Sequence, residues 1–136
     1  MNEIKDFKFF TAGKAIFTVK NNKGEHYTYK IVKKENTPYF VSSFTGTDNT
    51  AWTHYTYLGV FDIQAHEVKL TKASKFALDS LEVKIFNWAV KSVVEAKTLP
   101  EGYGILHENY CGKCGRLLTN PESIELGIGP ECIKNY

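Results

Sequence analysis

Residues 15–33 read Ala15-Ile-Phe-Thr-Val-Lys20, then Asn21-Asn-Lys-Gly24, then Glu25-His-Tyr-Thr-Tyr-Lys-Ile-Val-Lys33. The two outer segments are rich in β-branched and aromatic side chains, which pack well on the pleated surface of a strand. The middle segment carries the asparagines and the glycine that hairpin turns need. The stretch therefore predicts a β-hairpin, which sets the fold class of the N-terminal half.

The same pattern continues on the C-terminal side of the hairpin. Three more strand-like segments follow at 38–44, 54–61 and 66–71, and a polar stretch at 45–53 separates the first two. Five short strands with short connections predict an antiparallel meander or a small barrel. The polar stretch suits either a plain connecting loop or a phosphate-binding nest of backbone N–H groups.

From Asp79 to about Lys97 the hydrophobic period changes to that of a helix. Asp79 and Glu82 have the spacing of a capping box. A narrow polar stripe recurs at helical spacing and apolar residues cover the remaining circumference, so we expect a helix buried against the sheet, with Trp88 in the core. Its many β-branched residues leave a pair of strands as the alternative. Residues 1–100 are thus predicted to form an α+β body.

The composition limits the class of protein. The chain has 136 residues, of which 43% are hydrophobic and 24% charged, with a formal net charge of +2. These values describe one folded soluble domain, and they do not match a strongly basic nucleic-acid clamp. The sequence has no apolar run long enough for a membrane span and no signal-peptide pattern at its start, so we expect a cytoplasmic location.

The three cysteines all lie near the C-terminus, and an odd number cannot be fully paired in disulfides. Cys111 and Cys114 form a C-x2-C knuckle, and Cys132 follows after 17 intervening residues. His107, four residues before the knuckle, is the nearest candidate for a fourth ligand. The pattern predicts one structural Zn²⁺ bound by three thiolates and one imidazole. The alternative is three free buried cysteines and a surface histidine.

The residues around Cys132 indicate how its thiolate is presented. Pro130 suits the first position of a short helix, and Cys132 then lies in the first turn, where N–H groups favour a thiolate. A knuckle and a ligand from a helix start predict a treble-clef-like zinc finger over residues 101–136. Without His107, three thiolates and one water would form a catalytic centre, but the sequence lacks the second motif of zinc deaminases.

The lysines are concentrated at the N-terminal end. Residues 1–34 contain eight lysines against three acidic residues, a local charge of +5, and the remainder carries −3. Aromatic residues alternate with these lysines, and stacking rings beside phosphate-binding lysines are typical of single-strand binding. An ordinary half-buried hairpin produces the same alternation. The candidate binding residues are Lys14, Lys20, Lys30, Lys33, Tyr27, Tyr29 and Arg116.

The C-terminal segment carries a longer signature. It runs His107-Glu-Asn-Tyr-Cys-Gly-Lys-Cys-Gly-Arg-Leu-Leu-Thr119 and ends Gly127-Ile-Gly-Pro-Glu-Cys132. This segment resembles an uncharacterised family of small proteins found largely in bacteriophages. The resemblance implies a zinc finger on a β-rich body, with the three cysteines and His107 as ligands, in the cytoplasm of an infected host. It implies no activity.

Two functions fit these features. The first is a zinc-stabilised accessory protein that binds single-stranded DNA or RNA, in which Arg116 grips a phosphate; Arg116 bracing the finger is the alternative. The second is a module that binds a host protein and inhibits or redirects a host enzyme or defence system, which suits the near-neutral charge and the many tyrosines. An enzyme is not predicted, because no nucleophile–base pair or paired-carboxylate motif occurs. We expect neither a membrane nor a small-molecule substrate as a partner.

Overall fold

The computed structural model describes residues 2–44 and 55–107. The elements in chain order are β1 (Asn2–Glu3), a 3-10 helix (Phe7–Phe9), β2 (Lys14–Lys20), β3 (His26–Val32), β4 (Phe40–Phe44), β5 (Tyr55–Asp62), β6 (Glu67–Lys69), α1 (Leu81–Val94) and β7 (Gly104–His107). The predicted loop at 45–53 lies outside the described residues. So do Cys111, Cys114, Arg116 and Cys132; of the finger predicted over residues 101–136, only residues 101–107 are described.

The seven strands of the described residues form one antiparallel sheet in the order β1-β7-β2-β3-β4-β5-β6. The sheet curls into a half-barrel and packs with one helix of the described part, so the predicted α+β class is confirmed. Strands β2 to β6 pair with their neighbours in chain order, as a meander does. A register shift between Val41 and Ser42 interrupts the pairing of β4 with β5, and bulges of this kind increase the twist of a sheet.

The predicted hairpin is formed by β2 and β3, and Asn21 organises the turn between them. The backbone N–H of Asn21 donates to the Glu25 carbonyl at 3.0 Å. Its side-chain Oδ1 accepts from the backbone N–H groups of Lys23 at 2.9 Å and Glu25 at 3.1 Å. Gly24 has φ +82°, a left-handed conformation that glycine adopts without strain. Local side-chain bonds thus fix the shape of this turn.

The core lies between the sheet and α1. Phe17 and Tyr29 are cross-strand neighbours in the hairpin, and both rings pack on Phe86 of the helix. The Tyr29 hydroxyl donates to the Glu82 carbonyl oxygen at 2.7 Å, which ties β3 to the first turn of α1. Burial raises the pKa of Tyr29 far above its ordinary value, and the nearby Glu82 carboxylate adds to this effect. The phenol therefore stays neutral.

The helix begins one residue later than the capping-box spacing indicates. Its N-cap is Ser80, whose hydroxyl accepts from the backbone N–H of Val83 at 3.4 Å. Ser80 takes the place predicted for Asp79 because it directly precedes the first helical residue, where a short hydroxyl reaches the unpaired N–H groups. The prediction of a helix, rather than of a pair of strands, is confirmed, although α1 is shorter than the predicted 79–97. No helix of the described residues is long and apolar enough to cross a membrane.

Only one side of α1 is buried, which corrects the prediction of a helix buried nearly all round. Val83, Phe86, Ala89 and Val90 face the sheet. The other side carries apolar residues that remain accessible, among them Trp88 at 36% exposure, so Trp88 is not a core residue. A single layer of helix on a half-barrel can cover only the stripe that faces the sheet. Packing against the sheet therefore does not explain why the outer side of α1 is apolar.

Strand β7 brings the end of the described chain back into the sheet. It lies between β1 and β2, with His107 opposite Phe17 on one side and Asn2 on the other. This strand was not predicted, because four residues after a turn give too short a hydrophobic pattern. The segment that leads to the cysteines therefore starts as an interior strand of the sheet, next to the short edge strand β1.

Candidate functional site

The structure does not bring the four predicted lysines together. Lys14 and Lys20 lie exposed at opposite ends of β2, about 20 Å apart at the usual rise per residue of a strand. Lys33 follows β3, and its Nζ donates to the Thr37 carbonyl at 2.8 Å. Lys30 lies in the middle of β3 and is 5% exposed. The lysines therefore do not form one phosphate-binding ridge.

Lys30 is buried on the face of β3 opposite to Tyr29. Its Nζ lies 4.1 Å from the centre of the Tyr55 ring, within range of a cation–π contact. Burial lowers the pKa of Lys30 to about 8, because a charged ammonium loses its hydration there. This lysine is therefore poorly placed to contact a phosphate in solvent.

The two predicted tyrosines also differ. Tyr29 is buried in the core, as described above, so its ring does not stack on a ligand at the surface. Tyr27 lies nearer the turn, is only partly buried, and lines a cavity together with Lys20. Two of the predicted binding residues thus share one accessible site.

This cavity, which we call the hairpin–helix groove, has a volume of about 350 Å³. The hairpin contributes Val19 and Tyr27 to its apolar wall, and α1 contributes Ile85 and Trp88. Tyr103, just before β7, completes it. The volume lies in the range of small-molecule and cofactor clefts, and three of the lining side chains are aromatic.

Trp88 and Tyr103 form the exposed aromatic part of the groove. Each is 36% exposed, and their ring centroids lie 5.8 Å apart in an edge-to-face arrangement. An edge-to-face contact covers one face of one of the two rings, so it holds the pair together and leaves the other ring faces free of this contact. Ring faces held open beside a cavity are stacking platforms for planar ligands such as nucleobases.

The turn before β7 places Tyr103. The backbone N–H of Tyr103 donates to the Pro100 carbonyl at 3.0 Å, and Gly102 between them has φ +83°. A Cβ atom on Gly102 would lie 2.6 Å from the Cβ of Asn22, so the two turns touch at this point. Only glycine permits both this backbone conformation and this approach. The hairpin turn thereby meets the segment that carries Tyr103.

Two lysines and one carboxylate complete the groove. Lys20 and Lys84 are exposed and line it from the hairpin and from α1. The Lys20 side chain runs along the backbone of Gly104, where an added Cβ would lie 3.0 Å from the Lys20 Cε. Glu25 lines the groove near the turn, and its Oε1 accepts from the Asn21 Nδ2 at 3.1 Å.

Sequence reasoning missed Lys84, Trp88 and Tyr103. Lys84 belongs to the narrow polar stripe predicted for the helix, whereas Trp88, four residues further on, was predicted to lie in the core. Tyr103 carried no signal, because only the contact between two turns brings it to the hairpin. Lys84, one helical turn before Trp88, was the one sequence feature that could have indicated a mixed aromatic and basic surface.

His107 is the one predicted metal ligand that the structure describes. Its ring is buried, and it stacks on Phe9 at a centroid distance of 5.3 Å and an interplanar angle of 28°. Among residues 2–44 and 55–107, no group of three or more metal-ligating side chains occurs. The imidazole is therefore held in a fixed orientation on the last described residue before the knuckle.

Comparison with known proteins gives one match. Residues 104–136 match the model of DUF6011, described as a family of unknown function. This agrees with a resemblance to an uncharacterised family, and the matched part contains β7 and the three cysteines. No curated protein and no solved structure matches the chain.

Proposed function

We propose that the protein is a phage-type, zinc-stabilised accessory protein that binds single-stranded nucleic acid in the hairpin–helix groove. One observation carries this proposal: the groove combines exposed stacking rings with lysines on both of its sides. Bases stack on such rings, and each stacked base contributes about 1–3 kcal/mol. Lys20 and Lys84 then contact the phosphates on either side of the stacked base.

Structural zinc is the second part of the proposal. Cys111, Cys114 and Cys132 would bind the ion with His107 as the fourth ligand, and three thiolates with one imidazole are a donor set typical of Zn²⁺. The stacked, buried ring of His107 supports this role, because its orientation is already fixed. The ion would link the finger to His107, the last residue of β7. The first residue of the same strand, Gly104, directly follows Tyr103 of the groove.

The groove is tested by equilibrium binding of a fluorescein-labelled thymidine or uridine oligonucleotide of about twelve residues at low salt. We expect Trp88→Ala to weaken binding about tenfold, the equivalent of one stacked base. Leu81→Ala is the matched control, because Leu81 is also an exposed apolar residue of α1 but does not line the groove. Equal binding by the two variants, or no binding by the wild type, contradicts the proposal.

Zinc is tested by native mass spectrometry of the purified protein. We expect one zinc ion per chain, and we expect His107→Ala to weaken zinc binding while His26→Ala, an exposed histidine of β3, does not. A folded protein without metal would refute the zinc site, and unchanged affinity in His107→Ala would refute its fourth ligand.

A protein-binding module that inhibits or redirects a host enzyme or defence system is the second candidate. It is favoured by Leu78 and Leu81, which are 67% and 59% exposed at the start of α1. Two large apolar side chains exposed only three residues apart favour a surface that a protein partner covers. A pull-down tests this function. Capture of one host protein in equal amount, unaffected by nuclease, would support it over the first, provided that Leu81→Ala abolishes the capture and Trp88→Ala does not.

A further inference from the structure

A carboxylate in a groove proposed to bind nucleic acid requires an explanation. Glu25 lines the same cavity as Lys20, Lys84 and the aromatic rings. Its negative charge repels phosphates, so it reduces the general affinity that the lysines provide. A carboxylate at such a place binds a ligand group that donates hydrogen bonds. The base edges are the part of a nucleic acid that carries such donors.

The Glu25 side chain is held in place by the turn. Asn21 Nδ2 donates to its Oε1 at 3.1 Å, while Asn21 Oδ1 accepts from the backbone N–H groups of Lys23 and Glu25. Both ends of the Asn21 amide are therefore engaged, and the amide cannot turn without losing these bonds. An acceptor held in this way loses little side-chain entropy when a ligand donates to it.

We propose that Glu25 makes the groove selective for guanine, by accepting hydrogen bonds from the base edge while the base stacks on Trp88 or Tyr27. This inference rests on the proposed function. Guanine presents N1–H and N2–H side by side, which match the two oxygens of a carboxylate. Cytosine and adenine present one amino group, and thymine or uracil presents one N–H between two carbonyl oxygens, which repel a carboxylate.

The test uses a labelled thymidine tract of about twelve residues and the same tract with isolated guanosines in its middle, which avoids association between guanine strands. We expect the guanine-containing tract to bind the wild type about tenfold more tightly, the effect of one paired base edge. Replacing each guanosine by inosine removes the N2 amino group and leaves N1–H. We therefore expect inosine to lose most of this preference.

Glu25→Gln tests the residue directly. The glutamine carbonyl still accepts from Asn21, so the turn keeps its bond, but one acceptor becomes a donor. We expect the variant to bind the plain thymidine tract at least as tightly as the wild type, because a negative charge is removed, and to lose its preference for guanine. Glu35→Gln, the same change of charge at an exposed residue between β3 and β4, should leave the preference unchanged.

The outcomes separate this inference from the function on which it rests. If the wild type binds both tracts equally and Trp88→Ala weakens both, the groove binds nucleic acid and the selectivity is refuted. If the preference for guanine persists in Glu25→Gln, another residue is responsible and the inference is refuted as well. If neither tract binds, the proposed function itself fails.

Discussion

Tyr27 and Tyr29 lie two residues apart on β3 and on the same side of the hairpin, yet they have different surroundings. Tyr29 packs between Phe17 and Phe86 and donates to the Glu82 carbonyl. Tyr27 lines the hairpin–helix groove and stays partly accessible. Lys30 directly follows Tyr29 in β3, so its side chain points to the opposite face of the sheet; it is buried there, whereas Lys20 is exposed at the end of β2.

The difference between the two tyrosines follows from where α1 crosses the sheet. The middle of the hairpin is covered by the buried side of the helix, whereas the turn end extends past it and meets the helix only across a cavity. The same residue types therefore stabilise the fold at one place and remain available for binding at the other. Four predictions test whether the two ends of the hairpin differ in this way.

The largest expected effect is on stability at the middle of the hairpin. Tyr29→Ala should lower the free energy of unfolding by about 3–5 kcal/mol, because it removes a large aromatic side chain from the core. Tyr27→Ala should lower it much less and should weaken oligonucleotide binding instead. Urea denaturation of the two variants measures the difference, and similar losses for both would contradict the division of roles.

The second effect concerns Lys30 and pH. Burial lowers its pKa to about 8 in the folded state, so between about pH 8 and 10.5 the unfolded chain binds more protons than the folded one. Lys30 therefore makes the free energy of unfolding rise with pH in this window, by up to about 1.4 kcal/mol per pH unit. Lys30→Met should remove that rise and Lys14→Met, an exposed lysine, should not. Parallel pH profiles for wild type and Lys30→Met would exclude the effect.

The third effect tests how the turn end is assembled. Gly102→Ala combines a left-handed backbone with a Cβ that would collide with Asn22, so it should cost about 1–3 kcal/mol and should displace Tyr103 from the groove. Gly24→Ala is the matched control, since Gly24 has nearly the same φ but open space around it. Denaturation and oligonucleotide binding are measured for both. If both variants lose oligonucleotide binding equally, the contact between the turns does not place Tyr103.

The smallest effect is on the salt dependence of binding. Lys20→Ala and Lys84→Ala should each reduce the slope of log affinity against log salt by about 0.7, the value for one phosphate contact on a single strand. Lys14→Ala should leave the slope unchanged, because Lys14 lies at the other end of β2. Titrations at three or more salt concentrations give the slopes. An equal reduction of the slope in Lys14→Ala would mean that phosphates contact the whole length of β2, which would contradict binding in the groove alone.

The local features of this protein follow from its sequence. β-branched and aromatic runs around Asn21 and Gly24 specify the hairpin, because strand propensity and turn chemistry act between near neighbours. The change of period after Asp79 specifies the helix for the same reason. The spacing of the cysteines and His107 also predicts a zinc site from the sequence alone.

Only the tertiary structure decided which of these residues are accessible. The alternation of side chains along β3 places Tyr27 and Tyr29 on the same face of the sheet. Nothing in the sequence indicates that α1 covers Tyr29 and not Tyr27. The return of β7 between β1 and β2, and the contact of Gly102 with Asn22, join segments about 80 residues or more apart in the chain. Such long-range contacts depend on how complete elements pack, so the groove and its Trp88 and Tyr103 emerge only when the half-barrel is assembled.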